Sequence, residues 1–273
     1  MTLSVAVAGK GGVGKTTLAA LLVRSLREIG IRPILAVDAD PNSNLAEALG
    51  VQPGRPLAEI REQGSSPEGS PSSGIGRARA MDDEIQRAVT EAEGFDLVTM
   101  GRPEGPRCYC YVNNLLRRSL DSLSRSYAAV VLDNEAGMEH LSRRTTNDMD
   151  FLIAVTDPTL PALRAVRRIL ALSRDLPVRI GHRTALVNRV DPQGVPEEVG
   201  RRLAEVGAER LPDVPQDHDV ERAGATGRDV FSLPGQSPAL LGVRNVLEAL
   251  HNTIDRQDKF HSSRSKEILH DDS

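Results

Sequence analysis

Several residue types are scarce in this sequence of 273 residues. It contains no tryptophan, aromatic side chains make up 3% of it, and it has two cysteines. Two cysteines are too few for the disulfide framework of a small secreted protein, and no segment approaches the roughly 18 consecutive apolar residues of a membrane span. Because Met1 is followed almost at once by an apolar run, there is no room for a signal peptide and we expect a cytoplasmic protein.

The charge balance narrows the classes of partner. The formal net charge is −4, which argues against a general binder of nucleic acids or of anionic membranes. We therefore expect neither nucleic acid nor membrane as a partner. Apolar residues make up 39% of the chain, enough for a hydrophobic core, and the length allows one large α/β domain or two small ones.

Lysine is unusually scarce. Of the 34 lysine and arginine residues only four are lysines, namely Lys10, Lys15, Lys259 and Lys266. The first two flank a run of glycines, and the other two lie in the polar C-terminal segment. A biased genomic base composition would by itself explain the preference for arginine. Even so, lysines kept against such a bias indicate a site that needs a compact point charge and not a planar guanidinium.

The glycine-rich segment follows a predicted strand, Leu3–Ala8, and precedes a predicted helix from Leu18 to Gly30. It fits the phosphate-binding pattern G-x-x-x-x-G-K-[ST], in which glycines let the backbone and the helix N-terminus approach a phosphate. Lys15 would then contact the β- and γ-phosphates, and the Thr16 hydroxyl would contact Mg²⁺. The alternative is a glycine turn that binds nothing. The predicted nucleotide contacts here are Gly9, Lys10, Gly11, Gly12, Val13, Gly14, Lys15, Thr16 and Thr17.

An ordinary phosphate-binding loop does not require the earlier lysine, Lys10. With it, the segment Gly9–Thr17 resembles the deviant Walker A loop of the superfamily that contains MinD, ParA and the nitrogenase iron protein. That resemblance implies an ATP-hydrolysing enzyme in which Lys10 reaches across a homodimer to the partner's nucleotide. Lys10, Lys15 and Asp40 would be its catalytic residues, and ATP would drive dimerisation.

Strands and helices alternate along the chain, which predicts one α/β domain over residues 1–254 with a doubly wound, mostly parallel sheet. The further predicted strands are Arg32–Val37, Phe95–Met100, Ala128–Leu132, Phe151–Val155, Ala185–Asn188 and a short one near Glu209–Val214. The further predicted helices are Leu45–Leu49, Met81–Glu93, Tyr111–Ser126, Leu160–Leu172, whose outer face is strongly basic, and Leu240–Ile254.

Three regions allow more than one interpretation. The segment Pro53–Gly76 is rich in Gly, Ser and Pro, which predicts a mobile surface loop, with a partner-binding lid as the alternative. The helix Leu240–Ile254 is amphipathic and is expected to dock on the sheet; the alternative, a membrane-surface helix, would need a more basic polar face. From Asp255 to Ser273 the chain is polar and is predicted to be a disordered tail.

Three aspartates end predicted strands, Asp38 and Asp40 after the second strand and Asp133 after the fourth. The carboxyl ends of parallel strands meet at the edge where such sheets bind ligands, so these carboxylates are expected beside the glycine loop. Asp133 is placed as a Walker B aspartate would be, to orient the water shell of Mg²⁺. The superfamily resemblance implies that Asp38 supports Mg²⁺ and that Asp40 orients the attacking water. Carboxylates that merely end strands are the alternative.

Further roles follow only from the resemblance. The segment Asn134–His140 resembles the second switch loop of the superfamily, which implies that Gly137 lies near the γ-phosphate. Asn188 matches the asparagine that contacts adenine in relatives, although a capping asparagine is an alternative. The segment Leu211–Pro215 matches the loop that covers the base.

The two cysteines, Cys108 and Cys110, form a Cys-x-Cys motif just before a predicted helix. A disulfide within this spacing is sterically poor. The helix N-terminus and the nearby Arg107 and Arg117 would lower the pKa of both thiols and favour metal binding. Ni²⁺ or Zn²⁺ held by thiolates usually takes four ligands, which a two-fold dimer would supply and one chain would not. Two incidental thiols are the alternative.

The Cys-x-Cys segment indicates one family within this superfamily. Met100–Arg117 and Leu132–Arg144 are similar to the CooC family of ATPases, which assist nickel insertion into carbon monoxide dehydrogenase. This implies an ATP-dependent metallochaperone with that enzyme as its client. A ParA- or MinD-type positioning ATPase is one alternative, but it would not need Cys-x-Cys. An iron-sulfur ATPase related to the nitrogenase iron protein is another, but it would need two well-separated cysteines in each chain.

Overall fold

The computed structural model describes residues 2–64, 82–102, 123–134, 149–175 and 178–268. Within these ranges nine strands form one sheet in the order β3-β4-β2-β5-β1-β6-β7-β8, with β9 also paired to β7. The strands are β1 Leu3–Gly9, β2 Ile34–Ala39, β3 Thr90–Ala92, β4 Phe95–Thr99, β5 Ala129–Asn134, β6 Met149–Thr156, β7 Ile180–Val190, β8 Glu209–Arg210 and β9 Val214–Pro215. Among these pairings only β3 with β4 is antiparallel, so the predicted mostly parallel sheet is confirmed.

Helices cover both faces of the sheet. They are α1 Lys15–Glu28, α2 Leu45–Ala48, α3 Leu57–Gly64, α4 at residues 82–88, α5 Leu160–Arg174, α6 Glu197–Ala204, α7 His218–Ala225 and α8 Pro238–Ile268. In β1 the side chains of Val5 and Val7 pack with α1, α2 and α8. Those of Ala6 and Ala8 pack on the opposite face with α3, α4, α5 and α6. Alternate side chains of this buried strand therefore pack into two separate hydrophobic cores, one on each face of the sheet. This confirms the doubly wound architecture.

The register brings the predicted site to one edge of the sheet. β5 lies between β1 and β2, and Asp133 is the Cα partner of Asp38 in β2 and of Val7 in β1. Because all three strands run parallel, the glycine loop after β1 and both aspartates meet at the carboxyl edge. The strand β2 includes Asp38, which the sequence had placed just beyond its end.

The predicted helix Met81–Glu93 is wrong in its second half. The helix ends at residue 88, and Thr90–Ala92 forms β3, whose Ala92 pairs with Phe95 of β4. The turn between them is Glu93-Gly94, and Gly94 adopts φ 85°. A two-residue turn with glycine in a left-handed conformation makes a tight hairpin, and this local geometry overrides the helical spacing before it.

The predicted loop Pro53–Gly76 is wrong in its first half, because Leu57–Gly64 forms α3. Leu57 and Ile60 are fully or nearly fully buried against the sheet. Their spacing of three residues places both on one helix face, and this burial outweighs the glycine and proline content nearby. Residues 65–76 lie outside the described ranges.

The helix α8 extends beyond the predicted domain end. Where a disordered tail was expected from Asp255, the helix continues to Ile268. No glycine or proline occurs between Val243 and Ile268 to interrupt the helical hydrogen bonds, and His251 lies 3.6 Å from Asp255 one turn later. Within the described ranges, every helix is too short or too polar to cross a membrane.

The bounds of other strands and helices differ less from the predicted ones. β7 runs from Ile180 to Val190, longer than the predicted Ala185–Asn188. The short strand expected near Glu209–Val214 is divided into β8 and β9, which pair with different parts of β7. Of the predicted helix Tyr111–Ser126 only the end is described, as a 3-10 turn over Ser124–Ser126.

Candidate active site

The loop between β1 and α1 needs glycine at three positions for different reasons. A Cβ atom on Gly9 would lie 2.5 Å from the backbone oxygen of Val155 in β6. Gly12 and Gly14 adopt φ 85° and 90°, which L-residues rarely adopt. Gly14 is also the N-cap of α1, where no side chain caps the helix and no acidic residue lies in the first turn. The free N–H groups there form a site for an anion.

The two lysines of the loop differ in exposure. Lys15 is 7% exposed, and its Nζ donates to the backbone oxygen of Lys10 at 3.4 Å. The ammonium is therefore held at the loop, where the sequence predicted the phosphates. The side chain of Lys10 is exposed. Its predicted contact with a partner's nucleotide stays a prediction.

The end of β7 fixes the outer side of the loop. Asn188 Nδ2 donates to the Val13 oxygen at 2.8 Å, and the Arg189 guanidinium donates to the Gly12 oxygen at 2.8 Å. In a planar trans peptide the C=O and the next N–H point in opposite directions. Holding these two carbonyls outward therefore turns the N–H groups of Val13 and Gly14 toward the inner side of the loop.

Arg189 was not among the predicted site residues. It adopts φ 58°, a conformation uncommon for residues other than glycine, at the point where β7 turns toward the loop. A Cβ atom on Gly14 would lie 2.5 Å from Asn188 Nδ2 and 3.6 Å from the Arg189 guanidinium. The only sequence signal was a cation directly after a strand-ending asparagine. Asn188 already donates to the loop, so its predicted contact with adenine stays a prediction.

Asp38 is fully buried, and both of its carboxylate oxygens accept backbone hydrogen bonds. Oδ1 accepts from the Asp40 N–H at 3.1 Å and Oδ2 from the Leu45 N–H at 2.8 Å. Burial raises the pKa of Asp38 to about 7, with a further increase from the charge of Asp133, against the lowering effect of these hydrogen bonds. In this structure the side chain holds the turn after β2 and the start of α2.

Asp133 is buried to the same degree but is paired differently. It is 1% exposed, and neither carboxylate oxygen has a hydrogen-bond partner of standard geometry. Burial raises its pKa to about 6, while the Thr16 hydroxyl and the Lys15 ammonium lower it. A buried carboxylate without a full set of hydrogen bonds is costly, and this one interacts with the hydroxyl that the sequence assigned to Mg²⁺. Mg²⁺ prefers oxygen ligands and retained water, so Asp133 and Thr16 fit that ion.

Asp40 belongs to the same cluster of charges. Its Oδ1 accepts from the backbone N–H of Asn42 at 2.9 Å and from Asn42 Nδ2 at 3.0 Å. Its charge raises the pKa values of both Asp38 and Asp133. The predicted convergence of the three carboxylates is therefore seen, and the predicted role of Asp40 in orienting water stays a prediction.

A cavity of about 240 Å³ lies beside the loop, between α1 and α7. Its apolar wall includes Leu18 and Leu21 of α1 and Val220 of α7, and its polar rim includes Asn188 and Glu221. This combination of apolar wall and polar rim suits a planar base. From the predicted base-covering segment Leu211–Pro215, only Pro215 lines this cavity.

Asp217 fixes one wall of the cavity. Its Oδ1 caps α7 through the Asp219 N–H at 2.8 Å, and its Oδ2 accepts from Ser237 Oγ at 2.5 Å and the Ala239 N–H at 3.0 Å at the start of α8. Burial alone would raise the pKa of Asp217, but these hydrogen bonds hold it below its usual value. Sequence reasoning missed this residue.

Three predicted site residues, Cys108, Cys110 and Gly137, lie outside the described residues. In the described ranges no group of three or more His, Cys, Asp or Glu side chains is arranged to hold a metal ion by itself. The predicted Ni²⁺ or Zn²⁺ site at the cysteines therefore stays a prediction.

Sequence relatives are found over almost the whole chain. Residues 4–230 match the CbiA family model, described as the CobQ/CobB/MinD/ParA nucleotide binding domain. An uncharacterized ATP-binding protein from Methanocaldococcus jannaschii is 36% identical over 250 residues, 91% of this chain and 98% of that protein. The carbon monoxide dehydrogenase accessory protein CooC from Rhodospirillum rubrum is 31% identical over 260 residues, 90% of this chain and 95% of that protein.

Solved structures show the same fold. MinD complexed with Mg-ADP from Pyrococcus horikoshii OT3 aligns with a TM-score of 0.68 at 20% identity, covering 92% of this chain and 96% of that one. A ParA family ATPase from Chlorobium tepidum TLS aligns with a TM-score of 0.67 at 22% identity, covering 89% and 96%. At these identities the likeness concerns the fold, a single α/β domain with a mostly parallel sheet.

Proposed function

Because this chain belongs to the CobQ/CobB/MinD/ParA family of nucleotide-binding ATPases, we propose that it is an ATP-driven metallochaperone that assists nickel insertion into carbon monoxide dehydrogenase. The observation that carries the proposal is the 31% identity to CooC across 95% of that protein. The Cys108-x-Cys110 motif supports it, because a positioning ATPase would have no use for paired thiols.

The described residues support a proposed role for each part of the site in ATP hydrolysis. The N–H groups of the glycine loop and the start of α1 would bind the phosphates, and Lys15 would neutralise the β- and γ-phosphates. Asp133 and Thr16 would hold Mg²⁺, which when bound neutralises charge on the phosphate oxygens. Asp40 would orient the attacking water. Phosphoryl transfer depends on such positioning more than on covalent help from the protein.

The metal step would take place at a dimer interface. Each chain offers two thiolates, Cys108 and Cys110, and a two-fold dimer offers four, the number that Ni²⁺ or Zn²⁺ held by sulfur usually requires. Lys10 would reach the partner's nucleotide in the same dimer. ATP and metal would then both favour the closed dimer, and each would raise the other's affinity by the same factor.

Metal titration of the full-length protein tests this proposal. Ni²⁺ is added to apo-protein with and without a non-hydrolysable ATP analogue, and bound metal and molecular mass are measured together. We expect saturation at about one metal per dimer, tighter binding with nucleotide, and loss of binding in Cys108→Ser. Arg256→Glu, an exposed change that keeps both thiols, is the control and should retain metal.

Either of two results would contradict the shared site. One is saturation at one metal per monomer, and the other is an affinity indifferent both to nucleotide and to Cys110→Ser. The role in enzyme maturation requires a separate measurement, in which nickel-free carbon monoxide dehydrogenase is activated by the protein, Ni²⁺ and ATP. Failure of activation with intact metal binding would reject the client and keep the metal site.

A further inference from the structure

Helix α5 carries cations and no anions. Its sequence, Leu160–Arg174, contains no aspartate or glutamate. Its exposed side carries four arginines, which we call the arginine face: Arg164, Arg167, Arg168 and Arg174. At 100° per residue these positions fall within one sector about 120° wide, opposite the buried side chains. One helix therefore presents a charge of +4 on a protein whose net charge is −4.

Several arginines on other helices are paired with a carboxylate of the same helix. In α6, Arg201 and Arg202 both pair with Glu198 at 2.8 and 2.5 Å. In α7, Arg222 pairs with Asp219 at 3.3 Å. By contrast, no member of the arginine face has an ion pair with any residue in the part of the chain that the structure describes. Among the helices α1 to α8, the absence of carboxylates is therefore particular to α5.

The extent of the arginine face limits what could bind there. Arg164 and Arg174 are ten residues apart, about 15 Å along a helix, and Asp157 and Asp175 lie in sequence just before and just after α5. These acidic ends confine the basic surface to about 15 Å, a length that a compact acidic cluster on another protein would match. Leu172, on the same exposed side, is 38% exposed and offers an apolar contact.

The position of α5 brings the face to the nucleotide edge of the sheet. The helix begins after β6, and Thr159 caps it through the Ala162 N–H at 3.4 Å. β6 pairs with β1 from Phe151 to Val155, and Val155 is the Cα partner of Gly9. A protein bound to the N-terminal turn of α5 would therefore lie beside the glycine loop.

We propose that the arginine face is the docking surface for the client enzyme, which would present a compact cluster of carboxylates around an apolar contact. Guanidinium groups bind carboxylates in pairs of parallel hydrogen bonds, and protein interfaces are enriched in arginine next to apolar residues. The choice of client rests on the proposed function, whereas the choice of surface rests on α5 alone.

The test measures binding of nickel-free carbon monoxide dehydrogenase to the immobilised full-length protein at low and high salt. Arg164→Glu/Arg168→Glu should lose about tenfold or more in affinity, and the wild-type affinity should fall as salt rises, because unpaired surface charges steer and hold a complementary partner. The neutral variant Arg164→Gln/Arg168→Gln should lose less. All variants should keep the wild-type melting temperature and basal ATPase rate.

Arg125→Glu/Arg256→Glu is the matched control, since both arginines are exposed and the change in net charge is identical. It should bind the client within about twofold of wild type, as expected for surface charges away from an interface. Equal weakening of client binding by the control and by Arg164→Glu/Arg168→Glu would show that the arginine face is not the docking surface. Undiminished binding by Arg164→Glu/Arg168→Glu would show the same. Tighter binding of duplex DNA or anionic vesicles through the same arginines would overturn a protein partner.

Failure of the wild type to bind this enzyme would show that it is not the client, and would overturn the inference. Binding through the arginine face without nickel insertion would instead keep the docking surface and reject the proposed function.

Discussion

The aspartates at the ends of two neighbouring strands differ in their hydrogen bonding. Asp38 in β2 and Asp133 in β5 are Cα partners and are equally buried. The two oxygens of Asp38 accept backbone N–H groups, whereas those of Asp133 have no hydrogen-bond partner of standard geometry and interact with the Thr16 hydroxyl and the charge of Lys15. A carboxylate that already satisfies its acceptors holds structure, and one that does not is available to a cation. We therefore expect these two identical residues in adjacent positions to have different tasks.

The residues at the end of β7 also hold structure, as Asp38 does. Asn188 and Arg189 both donate to carbonyls of the glycine loop and so fix its shape. The candidate site therefore contains residues that hold its loops, Asp38, Asn188 and Arg189, and residues for which we propose contacts with the ligand, Asp133 and Lys15. Four experiments test this division.

The largest effect is expected for Asp133→Asn, an isosteric change that removes the charge. Mg²⁺-dependent ATP hydrolysis should fall about 100-fold or more, since charge stabilisation is the main contribution in phosphoryl transfer. The melting temperature without nucleotide should stay the same or rise, because burial destabilises the ionised carboxylate more than Thr16 and Lys15 stabilise it. Steady-state kinetics and thermal unfolding give both values, and near-native hydrolysis would remove Asp133 from the magnesium site.

Asp38→Ala is expected to change stability instead. The backbone N–H groups of Asp40 and Leu45 would lose their acceptor, at a cost of about 1–3 kcal/mol for each buried group left unpaired. Urea unfolding measures this loss, and Asp38→Asn, which keeps one acceptor oxygen, should lose less. A fully stable Asp38→Ala with abolished Mg²⁺ binding would reverse the division between the two aspartates.

The pH dependence of stability is the third test. Folding raises the pKa of Asp38 to about 7 and that of Asp133 to about 6, from about 3.9 in the unfolded chain. Between about pH 4 and 7 the folded state therefore binds more protons, so the free energy of unfolding should fall as pH rises through this window. Asp133→Asn should flatten the slope, and added Mg²⁺-ADP should do the same. A slope that rises with pH and is unchanged in Asp133→Asn would refute the assignment.

The smallest effect is expected at Arg189. Arg189→Ala removes the hydrogen bond to Gly12, which should raise KM for ATP several-fold with little change in kcat, because the loop binds substrate and transition state alike. Arg189→Gly also loses the guanidinium but relieves the left-handed backbone at φ 58°. It should match the KM of Arg189→Ala and melt at a higher temperature. An unchanged KM in both variants would show that the guanidinium does not shape the loop.

Much of the fold could be predicted because its patterns are local. Apolar runs such as Leu3–Ala8 and the helical spacing after Lys15 need no tertiary information, and a parallel sheet brings every strand's carboxyl end to one edge. The predictions failed where a short local feature conflicts with the periodicity or composition of the segment around it. The turn at Gly94 converts Thr90–Ala92 into a strand, and burial of Leu57 makes a helix in a segment that composition marks as a loop.

The residue types of the candidate site could be read from the sequence, because the spacing from Gly9 to Thr17 and the aspartates after the strands are fixed by covalent order. The hydrogen bonds that distinguish these residues from one another became visible only in the tertiary structure. Asp38 and Asp133 are the same residue type in similar surroundings, and their roles separate through hydrogen bonds from Leu45 and Asp40. Arg189 reaches Gly12 across 177 positions of sequence. Such contacts depend on how distant segments pack, and no local pattern encodes them.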